Sequence, residues 1–166
     1  MRTLALVIFF VFATPASFAA KDESCTNRPE CWPEGSSMHT GLLAAQQQLK
    51  TEATLSRLHA NLVELVASAR MEGSDLEVNS RLINALKKQQ LVWLKYRTEE
   101  CEVIGSLTGA GGTWQSTYAT RCDLALTEQR LKRVKSAIRC INRMPLESRY
   151  FEQGSCLQQL AQLVNK

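Results

Sequence analysis

Residues 76–107 read LEVNSRLINALKKQQLVWLKYRTEECEVIGSL, a proline-free run in which Leu82, Leu86, Trp93, Arg97, Cys101 and Ile104 recur at helical steps along one face. That pattern predicts one long amphipathic helix, and the flanking sequence extends it into a bundle. No proline occurs between Glu34 and Met144, and Gly73, Gly105, Gly109, Gly111 and Gly112 divide the stretch. Upstream, 38–71 carries Leu42, Leu49, Leu55, Leu58, Leu62, Leu65, Val66 and Ala69, mostly at three- and four-residue steps. Downstream, 115–142 is predicted to turn Tyr118, Cys122, Ala125, Leu131, Val134, Ile138 and Ile141 inward. A shorter helix over 155–163 carries Leu157, Leu160 and Leu163. The expected fold is all-α, three long helices and a short C-terminal one over 38–166.

Composition agrees. Within residues 20–166 there are 20 Leu against 11 Val plus Ile. Unbranched side chains lose little rotamer freedom in a helix, whereas β-branched ones fit strands better. The length of 166 residues with 45% apolar content suits one domain and excludes disorder and collagen-like repeats.

Residues 1–19 have the layout of a secretory signal peptide. Arg2 supplies the positive charge, 4–13 (LALVIFFVFA) the apolar run, and Ser17 and Ala19 the small residues before a cut after Ala19. The apolar run is too short for a stable membrane span. The expected location is therefore the periplasm or the exterior, and the mature chain carries 19 Lys/Arg against 16 Asp/Glu. The polar tail 20–37 is expected to be held down only by its cysteines.

All six cysteines follow the cut, without a Cys-x-x-Cys, and an even count in an exported chain reads as disulfides. Six cysteines allow 15 pairings, and sequence alone does not choose among them. Symmetry about the turns favours Cys101 with Cys122 across the glycines, Cys140 with Cys156 across Pro145, and Cys25 with Cys31 around Pro29.

Candidate chemistry is sparse. The chain has two histidines and none of the serine-hydrolase, Ser-x-x-Lys or His-Glu-x-x-His patterns, so no catalytic residue, metal or cofactor is expected. Glu99, Glu100 and Glu102 are the densest acids, but Glu99 and Glu100 diverge by about 100° around a helix and do not face one cleft. The stretch 105–114 lacks the Lys-Ser/Thr of a P-loop and reads as a helix–helix connection. Its functional reading is a recognition loop of Gly109, Gly111, Gly112, Thr113 and an exposed Trp114. Between Arg121 and Arg149, eight Lys/Arg face three acids, which makes Arg130, Arg133 and Arg139 candidate ligands for anionic polymer. Nucleic acid is not expected, since no basic–aromatic interleave is present.

One constellation points to a family. Gln90-x-x-Trp93-x-x-Tyr96-Arg97-x-x-Glu100-Cys101, a glycine-rich gap, and Cys122-x-x-x-x-Thr127-x-x-Arg130 resemble the LprI N-terminal-domain-like family of exported bacterial proteins. The match is close over 90–130 and looser at Cys31, Gln46 and Leu49. The resemblance implies a small helical bundle with Cys101 bridged to Cys122, and lysozyme inhibition as the activity.

The residues themselves place Trp93, Arg97, Glu100 and Cys101 on one helical face, with Arg97 set to pair with Glu100 and reach Thr127. A buried Arg–carboxylate pair needs such added hydrogen bonds, so this motif reads as a fold-specifying core and not an active site. Two features depart from the family: the extension with Cys140 and Cys156, and the positive mature charge. A basic lysozyme would have to meet an acidic side, for example Asp22, Glu23, Glu30, Glu34, Glu72, Asp75 and Glu77. The function expected is a non-enzymatic inhibitor of lysozyme or another wall hydrolase, acting through a loop in the glycan cleft. The alternatives are an immunity protein against a secreted wall-degrading toxin, or an envelope factor binding anionic polymer through the basic helix.

Overall fold

The computed structural model describes residues 25–69, 76–109 and 111–161, so the signal-peptide assignment and the end of the first helical segment (70–71) lie outside the described residues. Four α-helices follow one another: α1 (Ser37–Ser68), α2 (Leu76–Leu107), α3 (Trp114–Asn142) and α4 (Arg149–Leu157), with 3-10 turns at Pro29–Cys31 and Gln158–Leu160. No strand occurs among the described residues. None of the described helices is long and apolar enough to cross a membrane.

Local chemistry explains where the helices begin and end. The Ser36 hydroxyl accepts from the His39 amide at 3.2 Å and so caps α1. Gly109 and Gly112 turn the chain between α2 and α3 at φ of 58° and 67°, values that an L side chain rarely adopts. Pro145 and Leu146 interrupt the chain after α3, and the Arg149 guanidinium donates back to the Met144 and Asn142 carbonyls at 3.3 and 3.4 Å.

The cross-links fix the topology. Thr117 Oγ1 donates to the Ser37 carbonyl and Gln48 Nε2 to Thr127 Oγ1, so α1 and α3 run parallel. Cys101–Cys122, Arg97–Thr127 and Gln90–Arg130 descend α2 as they climb α3, so α2 is antiparallel to both. α1 packs most extensively along α3. Leu55, Leu62, Val66, Leu86, Trp93, Val134, Ala137 and Ile141 form the core, closed from the C-terminal side by Cys156, Leu157 and Leu160. The interhelical spacing is tight near the α2–α3 turn, where a Cβ on Gly105 would lie 2.8 Å from the Gln115 carbonyl.

The buried faces differ from the expected stripes. On α1 the buried positions are Ala44, Gln48, Thr51, Leu55, His59, Leu62 and Val66, while Leu49 is exposed. On α3 they are Thr117, Thr127, Arg130, Val134, Ala137 and Ile141, while Tyr118 and Ala125 are exposed. Ile104 also faces out. Three- and four-residue rhythms are kept, but they run through polar side chains. The last helix spans Arg149–Leu157 and not about 155–163: it runs through Gly154, where a Cβ would meet nothing within 4 Å, Leu160 falls in the following 3-10 turn, and Leu163 lies outside the described residues. The tail is held by more than its cysteines: Pro29 is buried, Trp32 Nε1 donates to the Cys25 carbonyl at 3.2 Å, and Gln46 Nε2 donates to that of Asn27 at 3.5 Å.

Candidate functional site

The motif residues of α2 and α3 assemble inside the bundle. Arg97 Nη1 donates to Thr127 Oγ1 at 2.9 Å and to Glu52 Oε2 at 3.2 Å, and Arg97 Nε lies 3.2 Å from Asp123 Oδ1. Gln48 Nε2 joins the same network by donating to both Glu52 Oε2 and Thr127 Oγ1. The pairing of Arg97 with Glu100 expected from their spacing is replaced by these two carboxylates from the neighbouring helices. Glu100 is exposed because three residues turn it about 60° from Arg97, to the rim of the buried face. Tyr96 is exposed as well.

Arg130 is only 1% exposed, and its three polar partners are neutral: Gln90 Oε1 at 3.2 Å, Gln89 Oε1 at 2.6 Å and the Leu160 carbonyl at 2.7 Å. Burial, with Arg133 adding to it, pushes its guanidinium down to about 10. Trp93 is flanked by both guanidiniums, each 5.5 Å from its ring centroid. Burial, with Glu52 adding and Arg97 opposing, holds the Asp123 carboxyl above its usual range. The arrangement fixes three helices in register. Arg130 therefore cannot bind polymer at the surface; its place among the candidate ligands is corrected, while Arg133 is half-buried and Arg139 exposed.

Disulfides join Cys25–Cys31, Cys101–Cys122 and Cys140–Cys156 with Cα separations of 5.5, 5.4 and 5.6 Å, leaving no free thiol. Among the described residues no group of His, Cys, Asp and Glu is placed to hold a metal.

The candidate loop lies at the α2–α3 end of the bundle. Gly109, Gly111 and Gly112 have open space where a Cβ would stand, and the Thr113 hydroxyl is hydrogen-bonded to that of Ser37. Trp114, 36% exposed, opens α3 with its ring 6.0 Å from that of Tyr118. Beneath the loop, Cys101–Cys122 and the Gly105 close approach tie α2 to α3. Val92, Tyr96, Val103 and Leu107 line an exposed apolar stripe on α2 leading to it.

Charge is distributed unevenly along the bundle: the basic excess counted over 121–149 is sorted by the antiparallel helices, which bring distant segments to the same end. The loop half (25–52, 92–107 and 111–127) holds Glu30, Glu34, Glu52, Glu99, Glu100, Glu102 and Asp123 against Arg28, Lys50, Lys95, Arg97 and Arg121. The far half (53–69, 80–91 and 128–161) holds eleven Lys/Arg against Glu64, Glu128, Glu147 and Glu152. Of the acids expected to meet a basic partner, Glu30 and Glu34 fall in the loop half. Asp22, Glu23, Glu72 and Asp75 lie outside the described residues, as does the side chain of Glu77.

An uncharacterized protein of Rhizobium meliloti (strain 1021) is 27% identical over 108 residues, which cover 64% of this chain and 77% of the relative. No solved structure matches significantly. The sequence profile described as lysozyme inhibitor LprI matches residues 31–134, a span that holds the Trp93, Arg97, Thr127 and Arg130 network, the Cys101–Cys122 bridge and the loop. The chain belongs to the LprI lysozyme-inhibitor family.

Proposed function

We propose that this chain is an exported, non-enzymatic inhibitor of a lysozyme-type wall hydrolase, and that it meets the enzyme with the loop end of the bundle. The observation that carries the reading is the acid-biased half beneath Trp114. Common c-type lysozymes are strongly basic, and a net positive inhibitor would be repelled unless its charge were segregated. Here the approaching enzyme feels the acidic half first, which orients the encounter. The three disulfides fit an oxidising, extracytoplasmic location.

In the docked state Trp114 and Tyr118 supply the aromatic anchors, and the glycines at 109–112 let backbone enter a narrow cleft. The Cys101–Cys122 bridge limits the conformational freedom lost on binding. Glu99, Glu100 and Glu102 act through their field and not as acid–base pairs.

The test is lysis of wall preparations by a c-type lysozyme with added inhibitor. Trp114→Ala is expected to weaken inhibition by about thirtyfold, the scale of an aromatic hot spot. Joint replacement of Glu99, Glu100 and Glu102 by Gln is expected to slow association and flatten its salt dependence. Undiminished inhibition by Trp114→Ala, or none from the wild-type chain at micromolar concentration, refutes the reading.

A further inference from the structure

The far half carries a surface that inhibition does not use. Lys132, Lys135, Arg139 and Arg143 succeed one another at steps of three, four and four, so they share the outward side of α3 over about 16 Å. All four are exposed, and among the described residues none lies within ion-pair distance of a carboxylate. The nearest acids in sequence are Glu128, at the upper end of the same side, and Glu147, past its lower end. Three of the cations, Lys132, Lys135 and Arg139, rim an open groove between α1 and α3 whose floor is Leu58 and Ile138. Leu146, in the turn just beyond Arg143, is 75% exposed.

Cations above an apolar floor, ending in a protruding leucine, match one chemistry. A soluble polyanion would use the charges and leave Leu58, Ile138 and Leu146 in water. An anionic lipid layer would use both, its phosphates meeting the ammonium and guanidinium groups and its glycerol and upper methylene region meeting the apolar ones. We propose that the Lys132–Arg143 side of α3 with Leu146 is a docking surface for an anionic phospholipid layer. It holds the protein peripherally through the far half of α3 and does not involve the loop end, at the other end of that helix.

The experiment is co-sedimentation of the mature, oxidised chain with phosphatidylcholine vesicles, with and without phosphatidylglycerol, at low and high salt. Binding is expected only with phosphatidylglycerol and is expected to fall as salt screens it. Joint Lys132→Gln, Lys135→Gln and Arg139→Gln should lower partitioning by about a hundredfold, about fivefold for each charge. Leu146→Ser should lower it severalfold. These side chains are solvent-facing, so the variants should retain their helical circular dichroism and their inhibition of lysozyme. Failure to bind phosphatidylglycerol vesicles at low salt overturns the proposal, as does full binding by the triple variant. So does unchanged binding by Leu146→Ser combined with displacement by soluble polyphosphate, which would mark the surface as a polyanion site.

Discussion

Thr127→Val separates a hydrogen-bonded interior from an ordinary apolar seam. The Thr127 side chain is fully buried, and its hydroxyl accepts from Arg97 Nη1 at 2.9 Å and Gln48 Nε2 at 3.2 Å while donating to the Asp123 carbonyl at 2.7 Å. Valine has nearly the same shape, so no cavity opens and the packing term is close to nil. What is lost is one charge-assisted bond, about 2 kcal/mol, and two neutral bonds, about 0.5 kcal/mol each. Neither donor is orphaned, because both keep Glu52 Oε2, and that limits the total to about 3 kcal/mol. At about 3 °C per kcal/mol for a domain of this size, the midpoint should fall by about 9 °C. Thr127→Ser is the control: it keeps the hydroxyl and deletes one methyl, about 1 kcal/mol. Urea and thermal unfolding without reductant should therefore rank threonine above serine above valine. A hydrophobic seam would reverse the last two, and a valine variant as stable as the serine one refutes the network's role.

Other perturbations read different parts of the fold. Gly105→Ala and Gly154→Ala should have opposite signs: the first forces a Cβ to 2.8 Å from the Gln115 carbonyl and should cost about 1–3 kcal/mol, whereas the second meets nothing within 4 Å and should gain about 0.5–1 kcal/mol in urea unfolding. His59 is held below its usual 6.5, first by burial and then by Arg130, with a Leu86 backbone bond opposing. The unfolded chain thus takes up that proton first, so the His59 contribution is complete above about pH 6.5 and declines as pH falls below it. His59→Leu should flatten that part of the stability–pH profile, and an unchanged slope would contradict it. Joint Cys140→Ser and Cys156→Ser opens a link spanning 16 residues and should cost about 3 kcal/mol, with hydrogen exchange accelerating in α4 before α1. Arg130→Lys keeps the charge but loses the guanidinium fork, and should cost about 2 kcal/mol in urea unfolding while loosening the Gln158–Leu160 turn.

The helices could be read from the chain because proline and glycine punctuation is local. The bounds of α2 coincide with the expected 76–107, and α3 starts one residue before the expected 115. The faces could not be read by counting apolar residues. Gln48, Thr51, His59, Gln90, Arg97, Thr117, Thr127 and Arg130 are buried because each finds polar partners or packing on another helix, a long-range fact that hydrophobicity omits. A weaker signal was present: Ala44, Gln48, Thr51, Leu55, His59, Leu62 and Val66 keep an unbroken three/four rhythm, whereas the expected stripe through Leu49 does not. Likewise, the spacing of Arg97 pointed to Thr127, but Glu52 and Asp123 were not distinguishable from other surface acids before α1 and α3 were packed.

The C-terminal extension is tied to the family core by an interaction inside it. The family match stops at residue 134, about two thirds of the way along α3, yet Arg130, within the match, is completed by the Leu160 carbonyl beyond it. Gln89 and Gln90 alone leave one end of a buried guanidinium without an acceptor, and a buried charge tolerates that poorly. The extension therefore supplies the last acceptor, and Cys140–Cys156 holds α4 where its following turn can reach. This also explains how a core arginine without a carboxylate persists: three oriented neutral oxygens and the Trp93 face replace the missing anion. With no acid spent on Arg130, the far half keeps its positive excess, and the two poles of the bundle stay electrically distinct.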